Sequence, residues 1–451
     1  MPVSVGTATS DLTPPLGTSL AGYFEARQAS AIHDPLFCKA LRLVAEDSVL
    51  LLTSCDLIAI GSETVLEAEQ TAGAAPGPKD QSLVFCTHTH LGPASKPVFG
   101  SPRADEYTDR LPQLVARAMR GAASHAFDAQ LSIAVTEAHG ISFNRRYHMR
   151  DGSVRTNPGR ANPDIVRPAG PIDPQVLILL ARNLAGRPCA LLVNFALHLD
   201  TIGGDSVSAD YPHYLAQRVR EALGDQAETV FANGAFGDIN HIDVNDPHQP
   251  TGFAMAEHCG NRLAEVVLRA CDSASPLGHP VVHGARRIVS LPARIIDAET
   301  LERARLVQIV TDPNADRAER EAAAARIGTD RPDVRLKGYA REWQMLAERG
   351  GEPYEADVRV ACLGPEVAFV GLPGEIFCEL GLAIKHNSPF DHTFVISLAN
   401  GYVGYVGTER AYAEGSYETT PARSSPLAPG GGEMLVDAAL DLLRQVHSRA
   451  V

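Results

Sequence analysis

Apolar runs short enough to be strands alternate along this chain with longer stretches in which apolar residues recur at helical spacing. Residues 40–60 (ALRLVAEDSVLLLTSCDLIAI) predict a hairpin turning at Glu46-Asp47. SLVFC before Thr87, CALLVNFAL before His198, TVFAN before Gly234 and VAFVGL before Pro373 predict buried strands. Between them, 104–124, 209–223, 252–272, 374–387 and 432–448 carry the spacing of amphipathic helices. Strands and helices interleaved in this way predict an α/β fold, a mixed β-sheet core flanked by helices. No seam interrupts the pattern, so residues 1–451 are expected to form one domain.

Two stretches break the rhythm. Residues 144–174 are rich in Arg, Pro, Gly and Asn and show no period, which predicts a long functional loop. Residues 297–350 are rich in Arg, Glu and Ala, hold the single tryptophan, Trp343, and predict a helical insertion on the surface.

Composition narrows the function classes. The 451 residues carry a formal charge of −14, with 45% hydrophobic and 21% charged residues. That is ordinary globular composition. Without a basic run the chain offers nucleic acid or an anionic membrane no positive patch. There is no basic-then-apolar leader at the N-terminus and no membrane-length apolar run, so a cytoplasmic protein is expected. The eight cysteines are scattered through apolar segments with no C-x-x-C pair, which predicts buried free thiols.

Four places carry candidate chemistry. Thr87-His88-Thr89-His90-Leu91-Gly92-Pro93 follows a predicted strand, and residues two apart share a face, so both imidazoles can look into one cleft as metal ligands. The H-x-H-x-D-H pattern of metallo-β-lactamases is not met, because Gly92 and Pro93 stand at those places. Asn194-Phe195-Ala196-Leu197-His198 runs a strand into a histidine, which read singly is equally a hydrogen-bonded core residue. Gly234-Ala235-Phe236-Gly237-Asp238-Ile239-Asn240-His241 reads as a tight functional turn. With Asp243 it also invites a calcium or magnesium reading, but the calcium-loop glycine is missing. Gly371-Leu372-Pro373-Gly374-Glu375 predicts a strand entering a helix, and Glu375 read singly is a first-turn carboxylate worth about 0.5 kcal/mol.

Taken in order, THTHLGP, Asn144-Arg145, NFALH, Ser208-Ala209-Asp210-Tyr211-Pro212, GAFGD, LPGE and Asn400-Gly401-Tyr402-Val403-Gly404-Tyr405 make the sequence resemble the neutral (non-lysosomal) ceramidase family. Ala21-Gly22-Tyr23, His33-Asp34-Pro35-Leu36 and the helix opening at Gly432-Glu433 extend the resemblance over nearly the whole chain. It implies a ceramidase-like catalytic domain with one zinc (Zn2+) held by His88, His198, Glu375 and Tyr405. It also implies His90 and Arg145 lining the cleft, and Tyr417 facing the reacting carbonyl. Tyr402 and Tyr412 are read as packing residues.

The resemblance breaks at one turn. Ceramidases carry G-D-x-S-P-N there, with the serine as proposed nucleophile, and here the turn reads Gly237-Asp238-Ile239-Asn240-His241-Ile242. Asn240 cannot attack a carbonyl usefully. The chain is also expected to end with the catalytic domain, without the immunoglobulin-like domain of ceramidases. These departures point away from ceramide and toward a small soluble substrate, carboxylated if Arg145 pairs with it bidentately. The expected activity is amide hydrolysis by metal-activated water, with His90 shuttling protons and Tyr417 and Asn240 donating to the oxyanion. The alternatives are an esterase or lactonase on the same site, or a binding protein that lost catalysis.

Overall fold

A computed structural model describes residues 3–77, 80–97, 99–278 and 280–451. Its largest sheet has nine strands. Eight lie in the order Glu228–Asn233, Pro188–Phe195, Gln175–Asn183, Ala126–Glu137, Val3–Asp11, Phe37–Ala45, Ser48–Cys55 and Asp80–Cys86. The pair at each end of this path is parallel and the interior is antiparallel, so the sheet is mixed, as the pattern predicts. The hairpin turns at Glu46-Asp47, with Ala45 paired to Ser48.

The two ends of this sheet approach each other. Ser54 Oγ, near one edge, donates to the carbonyl of Phe231 on the other at 2.7 Å. Buried Asn233 goes further: its Nδ2 donates to the carbonyls of Thr87 (3.1 Å) and Leu197 (3.0 Å). One amide therefore ties together the turns that carry His88 and His198.

A second sheet orders Val282–Leu291, Tyr354–Leu363, Val367–Gly371 and His392–Ile396. Its Leu363, Phe369, Phe394 and Ile396 pack face to face with Leu41, Leu43, Leu52 and Phe85 of the first sheet. Helices Leu111–Ser124, Tyr211–Leu223 and Phe253–Asp272 cover the outer face of the large sheet, and Gly431–Ala450 covers the second. Two sheets between helical layers let alternate side chains of nearly every strand leave water.

Four local expectations need adjustment. The 104–124 stretch is two helices, Asp105–Thr108 and Leu111–Ser124, because Pro112 starts a new one within its first two positions. The 374–387 helix begins only at Cys378. Glu375 and Ile376 instead pair in parallel with Tyr405 and Val406. The 144–174 stretch is no bare loop: Arg146–Met149, Val154–Thr156 and Ile165–Pro168 form a small sheet. The insertion is three helices joined by short turns, with Asp297, Asp316 and Asp333 as their N-caps. It is more than surface, since Trp343 belongs to a small core of its own. All eight cysteines are buried and unbridged. Among the described residues, no helix is long and apolar enough to cross a membrane.

Candidate functional site

The carboxyl ends of the parallel pairs converge where the large sheet closes on itself, the usual place for a site in an α/β sheet. Past Cys86 the chain turns under backbone bonds from Thr87 N to Cys55 O (2.9 Å), His88 N to Leu57 O (3.0 Å) and His90 N to Leu199 O (3.2 Å). These hold His88 at φ 83°, a left-handed conformation that costs a residue other than glycine on the order of 1–3 kcal/mol. Strain of that kind concentrates at functional sites.

Three buried ligand atoms face one another there. His88 Nδ1 donates to the Ile58 carbonyl at 2.7 Å, which leaves Nε2 as an acceptor. Nε2 lies 3.2 Å from His198 Nε2 and 3.3 Å from Glu375 Oε2, and the last two are 3.9 Å apart. Glu375 Oε2 is buried with no hydrogen-bond partner of its own, while Oε1 accepts from the Tyr402 hydroxyl at 2.8 Å. His90 joins the group: ligand atoms of His88, His90 and His198 all lie within 4.8 Å of one another. Such a set of acceptors is unfavourable by itself and suits a cation.

The electrostatics agree. Burial, with help from neighbouring charges, holds His90 and His198 well below the ordinary histidine value, so both rings are neutral and able to ligate. Burial works to raise the Glu375 carboxyl, but His88, Tyr402 and Arg145 together hold it low, so it is anionic. Burial and the Glu375 charge push the Tyr405 hydroxyl well above its usual range.

Strand pairing brings Tyr405 directly beside Glu375, and its hydroxyl accepts from Arg145 Nη2 at 3.1 Å. Tyr417 meets Tyr405 edge-on with ring centroids 5.8 Å apart. Arg145 reaches the site but is not available to a substrate carboxylate, which corrects the expectation. Its Nη2 also donates to Gly237 O (2.7 Å), Nη1 sits 3.4 Å from His198 Nδ1, and Nε forms an ion pair with buried Glu418 at 2.8 Å. The attractive partners win over burial and keep the guanidinium charged.

Asn240 lies nearby but turns elsewhere. Its Nδ2 donates to Asn157 Oδ1 (2.7 Å) and its Oδ1 accepts from Ile242 N (3.1 Å). Asp238 accepts from Cys378 N (2.8 Å) and Asn144 Nδ2 (2.7 Å), so it anchors the turn. That bonding supports the tight-turn reading over a second metal loop.

At the mouth, the Tyr23 hydroxyl donates to Asp200 Oδ1, which is 3.7 Å from His90 Nδ1. The Tyr23 ring stands edge-on to His90, with centroids 5.7 Å apart. Arg27 lies 3.9 Å over the Tyr23 ring and donates to the carbonyls of Ala21, His90 and Gly204. Sequence reasoning passed over Tyr402, Glu418 and Asp200. Asp200 stands two residues after His198, the same spacing that draws attention to His88 and His90. Glu418 gives only its place next to Tyr417.

No family model matches the sequence, and no curated protein matches it. Solved structures do. Neutral ceramidase from Pseudomonas aeruginosa superposes with a TM-score of 0.74 at 18% identity, over 100% of this chain and 75% of that one. A ceramidase complexed with C2 gives 0.71 at 17% identity, over 100% and 76%. The chain thus has the neutral ceramidase fold, as its ordered motifs imply.

Proposed function

We propose that this protein is a zinc-dependent hydrolase that cleaves the amide bond of a small molecule. The observation that carries the reading is the convergence of His88 Nε2, His198 Nε2 and Glu375 Oε2 within 3.2–3.9 Å, buried and with no proton donor on Glu375 Oε2. His88, His198, Glu375 and Tyr405 would hold the ion. When bound, zinc supplies a water activated near neutral pH and polarises the substrate carbonyl.

The chain's own residues supply the rest. Arg145, fixed by Glu418, holds the Tyr405 oxygen in place. Tyr402 fixes the Glu375 carboxylate so that one oxygen faces the histidines. His90, with neither ring nitrogen engaged, carries protons between water and the leaving amine. The Tyr417 hydroxyl is the donor to the developing oxyanion. With asparagine in place of a serine, this turn supplies no nucleophile for an acyl-enzyme. The fold shared with ceramidases favours an amide over other carbonyl bonds as substrate.

The test is elemental analysis of the purified chain alongside a panel of amides, esters and lactones. About one zinc per chain and turnover of amides is the expected result. A folded, active, metal-free protein would refute the reading, and exclusive turnover of esters or lactones would move the activity to that class.

A further inference from the structure

The mouth of the site holds polar groups whose hydrogen-bonding capacity the proposed reaction does not exhaust. Both ring nitrogens of His90 and the Nδ1 of His241 are buried without a hydrogen-bond partner, in side chains of residues only 8% and 7% exposed. Beside His90 stands Asp200, whose side chain is 36% exposed. Its Oδ1 is held by Tyr23 and faces His90 Nδ1 at 3.7 Å, and its charge acts on His241. Native structures leave few buried polar atoms unpaired, because each such atom has lost its water without gaining a partner. A ligand group that completes this set is therefore stabilised on binding.

Resting on the hydrolase reading, we propose that Asp200 and His90 form a polar subsite for a hydrogen-bond donor on the substrate, a hydroxyl or an ammonium. The same subsite rejects a carboxylate. The carboxylate of Asp200 accepts from either donor, and a hydroxyl can also pair with a neutral imidazole. At this rim His90 can offer an anion one neutral N–H, and the Asp200 carboxylate stands 3.7 Å from that ring. Arg27 has Nη1 and Nη2 on three backbone carbonyls and its face on Tyr23, which leaves only the buried Nε–H, and its charge is already shared with Asp200, Asp205 and Glu25. Arg145 is committed to Glu418, Gly237 and Tyr405. A substrate carboxylate here would meet like charge at close range, a repulsive device for specificity.

The experiment uses four amides of similar size on the purified full chain: N-acetylethanolamine, N-acetylethylenediamine, N-propylacetamide and N-acetylglycine. Affinity is read by calorimetry and turnover by product release. The hydroxyl or the ammonium probe should bind about ten- to a hundredfold more tightly than the propyl probe, and N-acetylglycine most weakly. Whichever donor is preferred identifies the group. Asp200→Asn should bring the preference close to unity through KM and leave the spread in kcat small. Asp200→Ser gives the same readout should the amide variant fold poorly. Wild-type binding of the propyl or carboxylate probe as tight as that of both donors would overturn the proposal. So would a preference that survives both variants, or a uniform fall in kcat across all probes, which would make Asp200 a residue that positions His90. Selective binding without turnover would sink the hydrolase reading and leave the subsite standing, whereas turnover without selectivity would sink the subsite alone.

Discussion

Glu418 is 0% exposed and serves two adjacent arginines, and replacing it with glutamine probes how the site is braced. Its Oε1 is 2.8 Å from Arg145 Nε. Its Oε2 is 3.2 Å from Arg146 Nη1 and accepts from Thr156 Oγ1 at 2.7 Å. At an effective dielectric of about 20, two charges about 4 Å apart attract by about 4 kcal/mol, most of it offset by the cost of taking the charges out of water. The asymmetry lies in removal: deleting one partner of a buried pair leaves the other's charge uncompensated, at about 3–5 kcal/mol. Glu418→Gln leaves Arg145 without its carboxylate partner and Arg146 with Glu414 alone while keeping the shape, so a loss within that range is expected. Glu414, which reaches Arg146 Nη2 at 3.4 Å from an 18% exposed side chain, is the control, and Glu414→Gln should cost under about 1 kcal/mol. Urea unfolding followed by far-UV circular dichroism measures both. A loss below about 1 kcal/mol in Glu418→Gln would show that water reaches the arginines and that the brace is not as dry as the geometry says.

Tyr402→Phe should weaken zinc binding about 10–100-fold in chelator competition, because Glu375 Oε1 loses its 2.8 Å donor; unchanged affinity would return Tyr402 to a packing role. His88→Ala should abolish metal binding, whereas His90→Ala should keep most of the metal and lose activity. Equal metal loss in both, measured by elemental analysis, would place His90 among the ligands. Burial pushes the Asp210 carboxyl up to about 7, above an unfolded value of about 4. The folded chain therefore holds a proton that the unfolded chain has lost, and this stability is full below about pH 4 and disappears as pH rises through 7. Urea midpoints between pH 5 and 8 should fall more steeply for the wild type than for Asp210→Asn, and parallel profiles would count against the assignment.

The strands and most helices were legible because burial imposes its period directly on sequence: Asp80–Cys86 and Pro188–Phe195 can hardly be anything else. The boundaries that shifted involve backbone choices made by tertiary partners. Glu375 pairs with Tyr405 because the second sheet delivers Gly404 and Tyr405 to it, with Glu375 N donating to Gly404 O at 2.9 Å. Propensity at Pro373-Gly374 does not contain that information. His88, His90 and His198 could be singled out from residue type and strand position. Arg145 came only through the family resemblance, and its bonding could not be read at all. Whether a guanidinium faces substrate or an internal acid depends on Glu418, far along the chain and carrying no pattern. Tyr402 was missed for the same reason, since a hydroxyl aimed at a carboxylate reads in sequence like any other core tyrosine.

The single amide of Asn233 that joins the Thr87 and Leu197 carbonyls has a kinetic corollary. His88 and His198 are 110 residues apart in the chain, and Glu375 comes from a different sheet. Each must find the others through loop closures whose entropy is lost before any contact rewards it. Until the edges of the large sheet meet at Asn233, no pair of histidine turns is presented to solution at all. An ion held there cannot template the early chain, as it does in small zinc modules whose ligands are neighbours in sequence. It enters a barrel-like closure already built, and its contribution falls on the unfolding rate: apo and loaded protein should refold alike and unfold at different speeds.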